Sequence, residues 1–175
     1  MSNYSKIKTY DIANGPGIRT SIFFSGCPHH CPECFNEELW NPNCGQKYSN
    51  ITTTEEIYKT INNHIEGISI LGGEPLADYN LRNVEFLCYE FKEKFPNKTI
   101  WLWTGYTIEE LEEKARENKF LSNILLTIDI LVDGRFEKDK KDLTLKWKGS
   151  SNQRVIDMKE SIKNKKIILY KKEKI

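Results

Sequence analysis

Short apolar runs separated by amphipathic segments divide the chain into alternating predicted strands and helices. The run at 20–25 (TSIFFS) is rich in β-branched and aromatic residues, which is typical of a buried strand. The same pattern predicts further strands at 68–71, 99–104 and 124–132, with weaker candidates at 154–158 and 167–170. The strands are separated by segments of helical period, so the pattern indicates a βαβα order.

The segment after the first strand illustrates the helical period. Isoleucines at four-residue spacing predict a helix over 54–66. Thr53 and Glu56 have the spacing of a capping box at its start, and Gly67 is placed to end it. Apolar residues recurring with a helical period predict two more helices, over 81–95 and 107–118.

This order of elements predicts an α/β fold, with a parallel sheet and crossover helices, in a single domain over 1–175. In such folds, ligands bind at the carboxyl ends of the strands. Those predicted ends carry the unusual residues of the chain: Gly26-Cys27, Gly72-Gly73-Glu74-Pro75, Thr104-Gly105 and Asp133-Gly134. The sequence therefore predicts a functional site along one edge of the sheet.

Composition excludes several classes of function. The 26 basic and 25 acidic residues give a formal net charge of +1, so we expect no general affinity for nucleic acid or membrane surfaces. No apolar run approaches the roughly 20 residues of a membrane span. Residues 1–10 lack the apolar region of a signal peptide, and the basic tail at 159–175 is expected to be solvated. These features predict a cytoplasmic protein.

Three of the five cysteines lie within eight residues. Cys27, Cys31 and Cys34 have the spacing C-x3-C-x2-C, which in a reducing compartment is more typical of metal or cluster binding than of disulfides. Three thiolates can hold three irons of a cubane cluster and leave the fourth iron open to a substrate. The remaining cysteines are Cys44 and Cys88.

A closed zinc site is the alternative, completed by Cys44 or by a histidine of the loop, His29 or His30. Zinc ribbons favour paired C-x2-C halves, and this chain has one such pair, so the pattern favours a cluster. On that interpretation, His29 and His30 are solvated loop residues and Cys44 is incidental. Cys88 falls on the apolar face of its helix and is predicted to be a core residue.

Two glycine-containing segments are candidate binding loops. Gly72 and Gly73 follow a strand directly and would let a ligand approach the backbone, while Glu74 offers a carboxylate to an ammonium group. The loop that begins at Asn14 is equally consistent with a tight turn and with a site mouth, where Arg19 would meet an anion or a protein partner.

The motifs together carry a resemblance. The cysteine spacing after a first strand, followed by GGEP after the next, resembles the radical S-adenosylmethionine (SAM) superfamily. More narrowly, the chain resembles the activating proteins of anaerobic ribonucleoside-triphosphate reductases. The segments that carry this are NGPGIR, FFSGCPHHCPECFNEELWN, ISILGGEPL, WLWTGYT, ILVDGRFEK and WKGSSNQRVIDM. They extend over about 10–158.

The resemblance implies a fold, a partial (β/α) barrel of the TIM type, and a set of site residues. The residues holding a [4Fe–4S] cluster would be Cys27, Cys31 and Cys34. SAM would chelate the fourth iron, and its methionyl amino group would be held by Gly72, Gly73 and Glu74. The residues near the cofactor would be Glu33, Phe35 and Asn36. Thr104, with Asp133, would face the ligand and could hold a monovalent cation beside SAM, as some related activases do.

The resemblance also implies an activity and its partners. One electron from the reduced cluster would cleave SAM, and the 5′-deoxyadenosyl radical would take a hydrogen atom from a glycine of the reductase. The implied partners are the reductase and a small flavodoxin-like or ferredoxin-like electron donor, with a homodimer or a heterotetramer as possible assemblies. Two alternatives remain: an activase of another glycyl-radical enzyme, such as pyruvate formate-lyase, and a non-catalytic zinc-binding module.

Overall fold

The computed structural model describes residues 2–171, in which a single sheet of seven strands is packed against helices. The strands are β1 (Asn3–Asp11), β2 (Ile18–Phe24), β3 (Gln46–Lys47), β4 (Ile65–Gly72), β5 (Thr99–Trp103), β6 (Ile130–Asp133) and β7 (Arg154–Asp157). The helices are α1 (Thr52–Thr60), α2 (Leu81–Lys94), α3 (Ile108–Ala115), α4 (Lys119–Thr127) and α5 (Met158–Asn164). None of them is long and apolar enough to cross a membrane.

The sheet is mixed and open, with the strand order β3-β1-β2-β4-β5-β6-β7. Its centre, β2-β4-β5-β6, is parallel, while β1, β3 and β7 pair antiparallel at the sides. The parallel centre confirms the predicted α/β order and places four strand ends along one edge. The strands described here do not close into a barrel, and both the partial barrel and the single-domain organisation stay predictions.

Alternation along the parallel strands separates two faces. One face packs against the helices and forms the main core, to which Ile22, Ile70 and Leu102 contribute from the strands and Leu87 and Leu121 from the helices. The opposite face carries smaller apolar clusters, which are built around Phe23 and Leu71 in one case and Trp101, Ile130 and Val132 in the other. Because helices α1–α5 all contribute to the main core on the first face, the second face is left for loops and cavities.

The predicted helix over 54–66 is wrong at both ends. Helix α1 begins at Thr52 and ends at Thr60, and its N-cap Ile51 makes no side-chain cap. The capping box does not form, because the Thr53 hydroxyl instead accepts a hydrogen bond from the backbone N–H of Ser49. Gly67 lies inside β4, where a Cβ would come within 1.9 Å of a Thr99 carbonyl oxygen. The glycine permits close strand pairing rather than a helix end.

The predicted strand over 124–132 is wrong in its first half. Those residues complete helix α4, whose apolar side chains Leu121, Ile124 and Leu125 are buried in the main core, and only Ile130–Asp133 is a strand. A continuous apolar run does not distinguish a buried strand from a buried helix. The candidate at 167–170 makes one isolated bridge, between Ile156 and Leu169.

Other predicted elements are confirmed. Strands β2, β4, β5 and β7 contain or closely match the predicted runs, and α2 and α3 match two predicted helices. Helix α3 begins with a capping box between Thr107 and Glu110. Cys88 is fully buried in the core, as its helical position predicts.

Candidate iron–sulfur and cofactor site

A cavity of about 140 Å³ opens at the carboxyl edge of the parallel strands. The three predicted thiols all line it: Cys27, Cys31 and Cys34. The remaining walls come from the ends of all four parallel strands and the loops that follow them, and include Asn36, Gly72, Gly73, Trp103, Thr104, Gly105, Gly134, Phe136 and Gln153. The edge predicted from the strand order is therefore the edge where these groups meet.

Backbone hydrogen bonds fix the beginning of the cysteine loop. The N–H groups of Gly26 and Cys27 donate to the carbonyl oxygens of Leu39 and Trp40 at 2.8 and 3.1 Å. Burial raises the pKa of the Cys27 thiol to about 11, and burial together with the neighbouring Cys34 raises that of Cys31. Metal binding would release the protons of these thiols, since thiolate is the form that binds a metal.

The donor set fits a cluster with one open iron. Three thiols share one cavity, and Cys44 does not line it but packs against Phe23, Leu39 and Leu71. A zinc site would instead require four ligands close enough to surround one ion. Within residues 2–171, no three His, Cys, Asp or Glu side chains are placed to bind a single metal ion.

Gly72 and Gly73 are required by the close approach of the chain's own backbone. Gly72 has φ +118°, and a Cβ there would lie 2.4 Å from the Phe24 carbonyl oxygen. A Cβ on Gly73 would lie 2.5 Å from the carbonyl oxygen of Gly26. Both glycines therefore let the loop after β2 cross the end of β4, and both also line the cavity.

Glu74 is fully buried and both of its carboxylate oxygens already accept hydrogen bonds. Oε1 accepts from the backbone N–H of Leu76 and the hydroxyl of Thr104, each at 2.8 Å. Oε2 accepts from the backbone N–H of Gly105 at 2.7 Å and lies 2.9 Å from Nε2 of His29. The carboxylate connects two strand ends and the cysteine loop, and its role toward an ammonium group stays a prediction.

His29 is not the solvated residue that sequence reasoning expects. Its side chain is 6% exposed, and its ring packs edge-on against Tyr106 with centroids 4.5 Å apart. His30 is exposed and lies against Trp40. No local pattern separates two adjacent histidines in a loop, because the partner of His29 lies 45 residues away at Glu74.

Asn36, Phe35 and Glu33 occupy three different positions around the cavity. Asn36 lines it and donates from Nδ2 to the Gly72 carbonyl oxygen at 3.2 Å. Phe35 lies outside, with its ring 5.2 Å from that of Phe136 beside an adjoining cavity. Glu33 is exposed and forms an ion pair with Lys138 at 2.5 Å. Cofactor contacts by these three residues stay predictions.

Asp133 is already paired within the protein. Its carboxylate accepts hydrogen bonds from the backbone N–H of Ile108 at 2.8 Å and from Arg154, whose Nη2 lies 2.5 Å away. The Thr104 hydroxyl donates to Glu74. Arg154 therefore already supplies a positive charge to this carboxylate, and a monovalent cation held by Thr104 and Asp133 stays a prediction.

The NGPGIR loop is held by buried charges. Arg19 is fully buried and donates to Ser69 Oγ, to the hydroxyl and carbonyl oxygens of Thr99, and to the Ile68 carbonyl oxygen. It is therefore not available to an external anion or partner. Asn14 lines the adjoining cavity, and its Nδ2 donates to Asp11 at 2.6 Å.

Gln153 is a cavity residue that sequence reasoning did not single out. Its Oε1 accepts from the backbone N–H groups of Gly149 and Ser150, and its Nε2 donates to the Gly134 carbonyl oxygen. It thus ties the loop before β7 to the end of β6. The sequence signal that could identify Gln153 is its place in the GSSNQR segment.

Comparison with known proteins assigns the family. A family model described as a 4Fe-4S single cluster domain matches residues 13–156. The chain is 39% identical over 153 residues to the anaerobic ribonucleoside-triphosphate reductase-activating protein of Escherichia coli strain K12, covering 86% of this chain and 96% of that protein. The chain belongs to the family of these activating proteins.

Other relatives carry the same name. The protein of Enterobacteria phage T4 is 36% identical, over 87% of this chain and 92% of its own length. That of Haemophilus influenzae is 33% identical, over 86% of this chain and 95% of its own length. The matched cluster domain contains all three cavity cysteines, Cys27, Cys31 and Cys34, so membership of the family supports an iron–sulfur cluster at this cavity.

Proposed function

We propose that this chain is a radical SAM activase that generates the glycyl radical of an anaerobic ribonucleoside-triphosphate reductase. The observation that carries the proposal is the cavity, in which three thiols and a glycine pair meet at the ends of parallel strands. The name of the relatives supports the partner, and the matched cluster domain supports the metal group.

Cys27, Cys31 and Cys34 would each hold one iron of a [4Fe–4S] cluster, with the fourth iron left to SAM. A bound and reduced cluster would supply the electron for the reductive cleavage of SAM, the chemistry needed to remove a hydrogen atom from a glycine of the reductase. Cys44 would take no part, since its thiol packs in a separate apolar cluster.

The polar groups of the cavity would bind and orient the amino-acid part of SAM. Gly72, Gly73, Asn36 and Thr104 line the cavity and would supply these polar groups. The apolar side chains of Trp103 and Phe136 line the same space, and they would limit the access of water to a reactive carbon radical. In this proposal, the residues of this chain bind the amino-acid part of SAM and shield the carbon radical from water.

The same proposal includes the location, the electron donor and the assembly of the protein. We propose a cytoplasmic location and electron delivery by a small flavodoxin-like or ferredoxin-like protein. Self-association as a homodimer, and a heterotetramer with the reductase, complete the proposed assembly. An exposed catalytic edge suits activation of a protein substrate, because a large partner could cover it during reaction.

The proposal is tested by anaerobic reconstitution with iron and sulfide, followed by reduction, addition of SAM and quantification of 5′-deoxyadenosine. We expect product from the wild-type protein, with or without the reductase, and none from Cys31→Ala. Binding of zinc without iron uptake would contradict the proposal and favour the zinc-binding module. So would a fully loaded cluster that yields no product even when the reductase is present.

A further inference from the structure

The contact between His29 and Glu74 is indicated by neither the cysteine motif nor the glycine motif. Nε2 of His29 lies 2.9 Å from Oε2 of Glu74, and the two side chains are 6% and 0% exposed. The other partners of this carboxylate are all donors, namely two backbone N–H groups and the Thr104 hydroxyl. Because an ionised carboxylate only accepts hydrogen bonds, the proton is assigned to Nε2 of His29, which then acts as the fourth donor to this buried group.

The position of His29 gives this contact its significance. His29 lies midway between Cys27 and Cys31, in the longer of the two spans that separate consecutive cavity cysteines. Its partner belongs to the loop after β4, and the same carboxylate oxygen is bound by the backbone N–H of Gly105 after β5. One side chain thus fastens the middle of the cysteine loop to two neighbouring strand ends.

The end of β5 is shaped to admit the imidazole ring. A Cβ on Gly105 would lie 2.4 Å from Cδ2 and 2.7 Å from Nε2 of His29, far inside van der Waals contact. The ring also packs edge-on against Tyr106. Space for the ring therefore depends on glycine at position 105.

The far end of the loop has its own attachment. Asn36 donates from Nδ2 to the Gly72 carbonyl oxygen. Between the two attachments, His30 and Glu33 have positive φ values of 48° and 55°. Such conformations are unfavourable for residues other than glycine and persist when the surroundings impose them. The loop shape is thus held from both sides rather than by local preference.

We propose that His29 is a positioning residue that anchors the cysteine loop on Glu74 and keeps Cys27 and Cys31 in place to bind and retain an iron–sulfur cluster. The hydrogen bond to Glu74, rather than the packing of the ring, provides this anchoring. This inference rests on the cluster of the proposed function, but not on the cleavage of SAM.

Two variants of His29 separate the hydrogen bond from the packing. His29→Phe keeps a ring beside Tyr106 without a donor, and His29→Gln keeps an N–H donor without the ring. The first measurement is amide hydrogen exchange over residues 27–34 in the cluster-free protein. The second is the rate at which a chelator removes iron from the reconstituted protein under anaerobic conditions.

We expect His29→Phe to exchange faster over this loop and to release iron about ten-fold faster, the lower end of the effect of removing such outer contacts. His29→Gln should stay within a few-fold of the wild type. The matched control is His30→Gln, because His30 is the exposed neighbour in the same loop, and it should behave as the wild type does. Wild-type behaviour of His29→Phe, or an equal loss in His29→Phe and His29→Gln, would overturn the proposal.

A variant outside the loop keeps the test decisive if His29→Phe does not fold. Gly105→Ala places a methyl group against the ring of His29 and leaves both His29 and Glu74 unchanged. It should reproduce the faster exchange and iron loss, and wild-type values would overturn the proposal. A protein that retains iron in this pattern but forms no 5′-deoxyadenosine would contradict the proposed function and leave the anchoring role standing.

Discussion

Arg154 reaches back from β7 to the end of β6, where its Nη2 lies 2.5 Å from Oδ2 of Asp133. Asp133 is 1% exposed and also accepts a hydrogen bond from the backbone N–H of Ile108, at the first turn of α3. Two further N–H groups of Arg154 donate to Glu109 in the same helix turn. One guanidinium therefore joins two strands and a helix beside the cavity.

Removing this guanidinium should destabilise the fold strongly. Arg154→Met leaves the buried Asp133 carboxylate without its charge partner, and we expect a loss of about 3 kcal/mol in the free energy of unfolding. Urea unfolding measures it. Arg116→Met is the control, because Arg116 pairs with Glu113 on the surface, and its loss should stay below about 0.5 kcal/mol. Equal losses in the two variants would contradict the role of Arg154.

Arg19 should tolerate no conservative replacement. Its guanidinium makes four hydrogen bonds at 2.7 to 2.9 Å in a fully buried position, and burial lowers its pKa to about 10. Lysine cannot reproduce this forked geometry. We expect Arg19→Lys to lower the free energy of unfolding by about 2 kcal/mol, since buried acceptors are left unpaired. Arg82→Lys at an exposed helical position should be neutral, and a neutral Arg19→Lys would show that these hydrogen bonds contribute little.

Local sequence patterns predict some features of the candidate site and do not predict others. The strand ends and the cavity thiols Cys27, Cys31 and Cys34 follow from local pattern, because β-branched runs and tight cysteine spacing are local features. The partners of His29 and Arg19 do not, since they lie 45 residues away for His29 and 49 or more residues away for Arg19. Burial of a charged or aromatic polar group depends on tertiary neighbours that no window of sequence contains.

The same distinction explains the errors in the elements. The apolar run at 124–132 is compatible with a buried strand and with a buried helix. The first half of the run is helical because α4 packs against α2 and α3. Strand β1 is largely polar and pairs at the side of the sheet, so its pattern carries no apolar alternation to detect. The GGEP motif predicts Glu74 as a site residue, but its four hydrogen bonds come from three separate segments of the chain, which the motif does not indicate.

Cys44 and Cys31 should differ sharply in their effect on iron binding. Cys44 packs against an apolar cluster outside the cavity, and Cys31 lines the cavity. After anaerobic reconstitution, we expect Cys44→Ser to hold as much iron and sulfide per chain as the wild type. Cys31→Ser should lose most of the cluster. The analysis of iron and sulfide content checks both, and loss of the metal in Cys44→Ser would favour a four-cysteine site.

Asp11 should make the stability depend on pH in the acid range. Burial alone would raise its pKa, but hydrogen bonds from Ser21, Asn14, the Ala13 N–H and Lys8 outweigh it and lower the pKa to about 2. A carboxyl group whose pKa is lowered in the folded state stabilises the protein at pH values above its pKa in the unfolded chain, near 3.8. That stabilisation is lost as the pH falls toward the folded-state pKa of about 2.

The measurement for Asp11 is urea unfolding of the wild type and Asp11→Asn from pH 5 to pH 2. The wild type should be the more stable at pH 5, and the gap should shrink by on the order of 2 kcal/mol as the pH falls to about 2. Glu117→Gln removes an exposed carboxylate and should show no such trend. A gap between the wild type and Asp11→Asn that stays constant with pH would mean that Asp11 does not titrate as its contacts indicate.

The most direct test of the proposed function is the electron paramagnetic resonance spectrum of the reductase after anaerobic incubation with this protein, SAM and a reductant. We predict a glycyl radical on the anaerobic ribonucleoside-triphosphate reductase with the wild-type protein, none with Cys31→Ala, and none on pyruvate formate-lyase under the same conditions. A radical formed on the lyase but not on the reductase, or no radical on either from a fully cluster-loaded protein, would contradict the account.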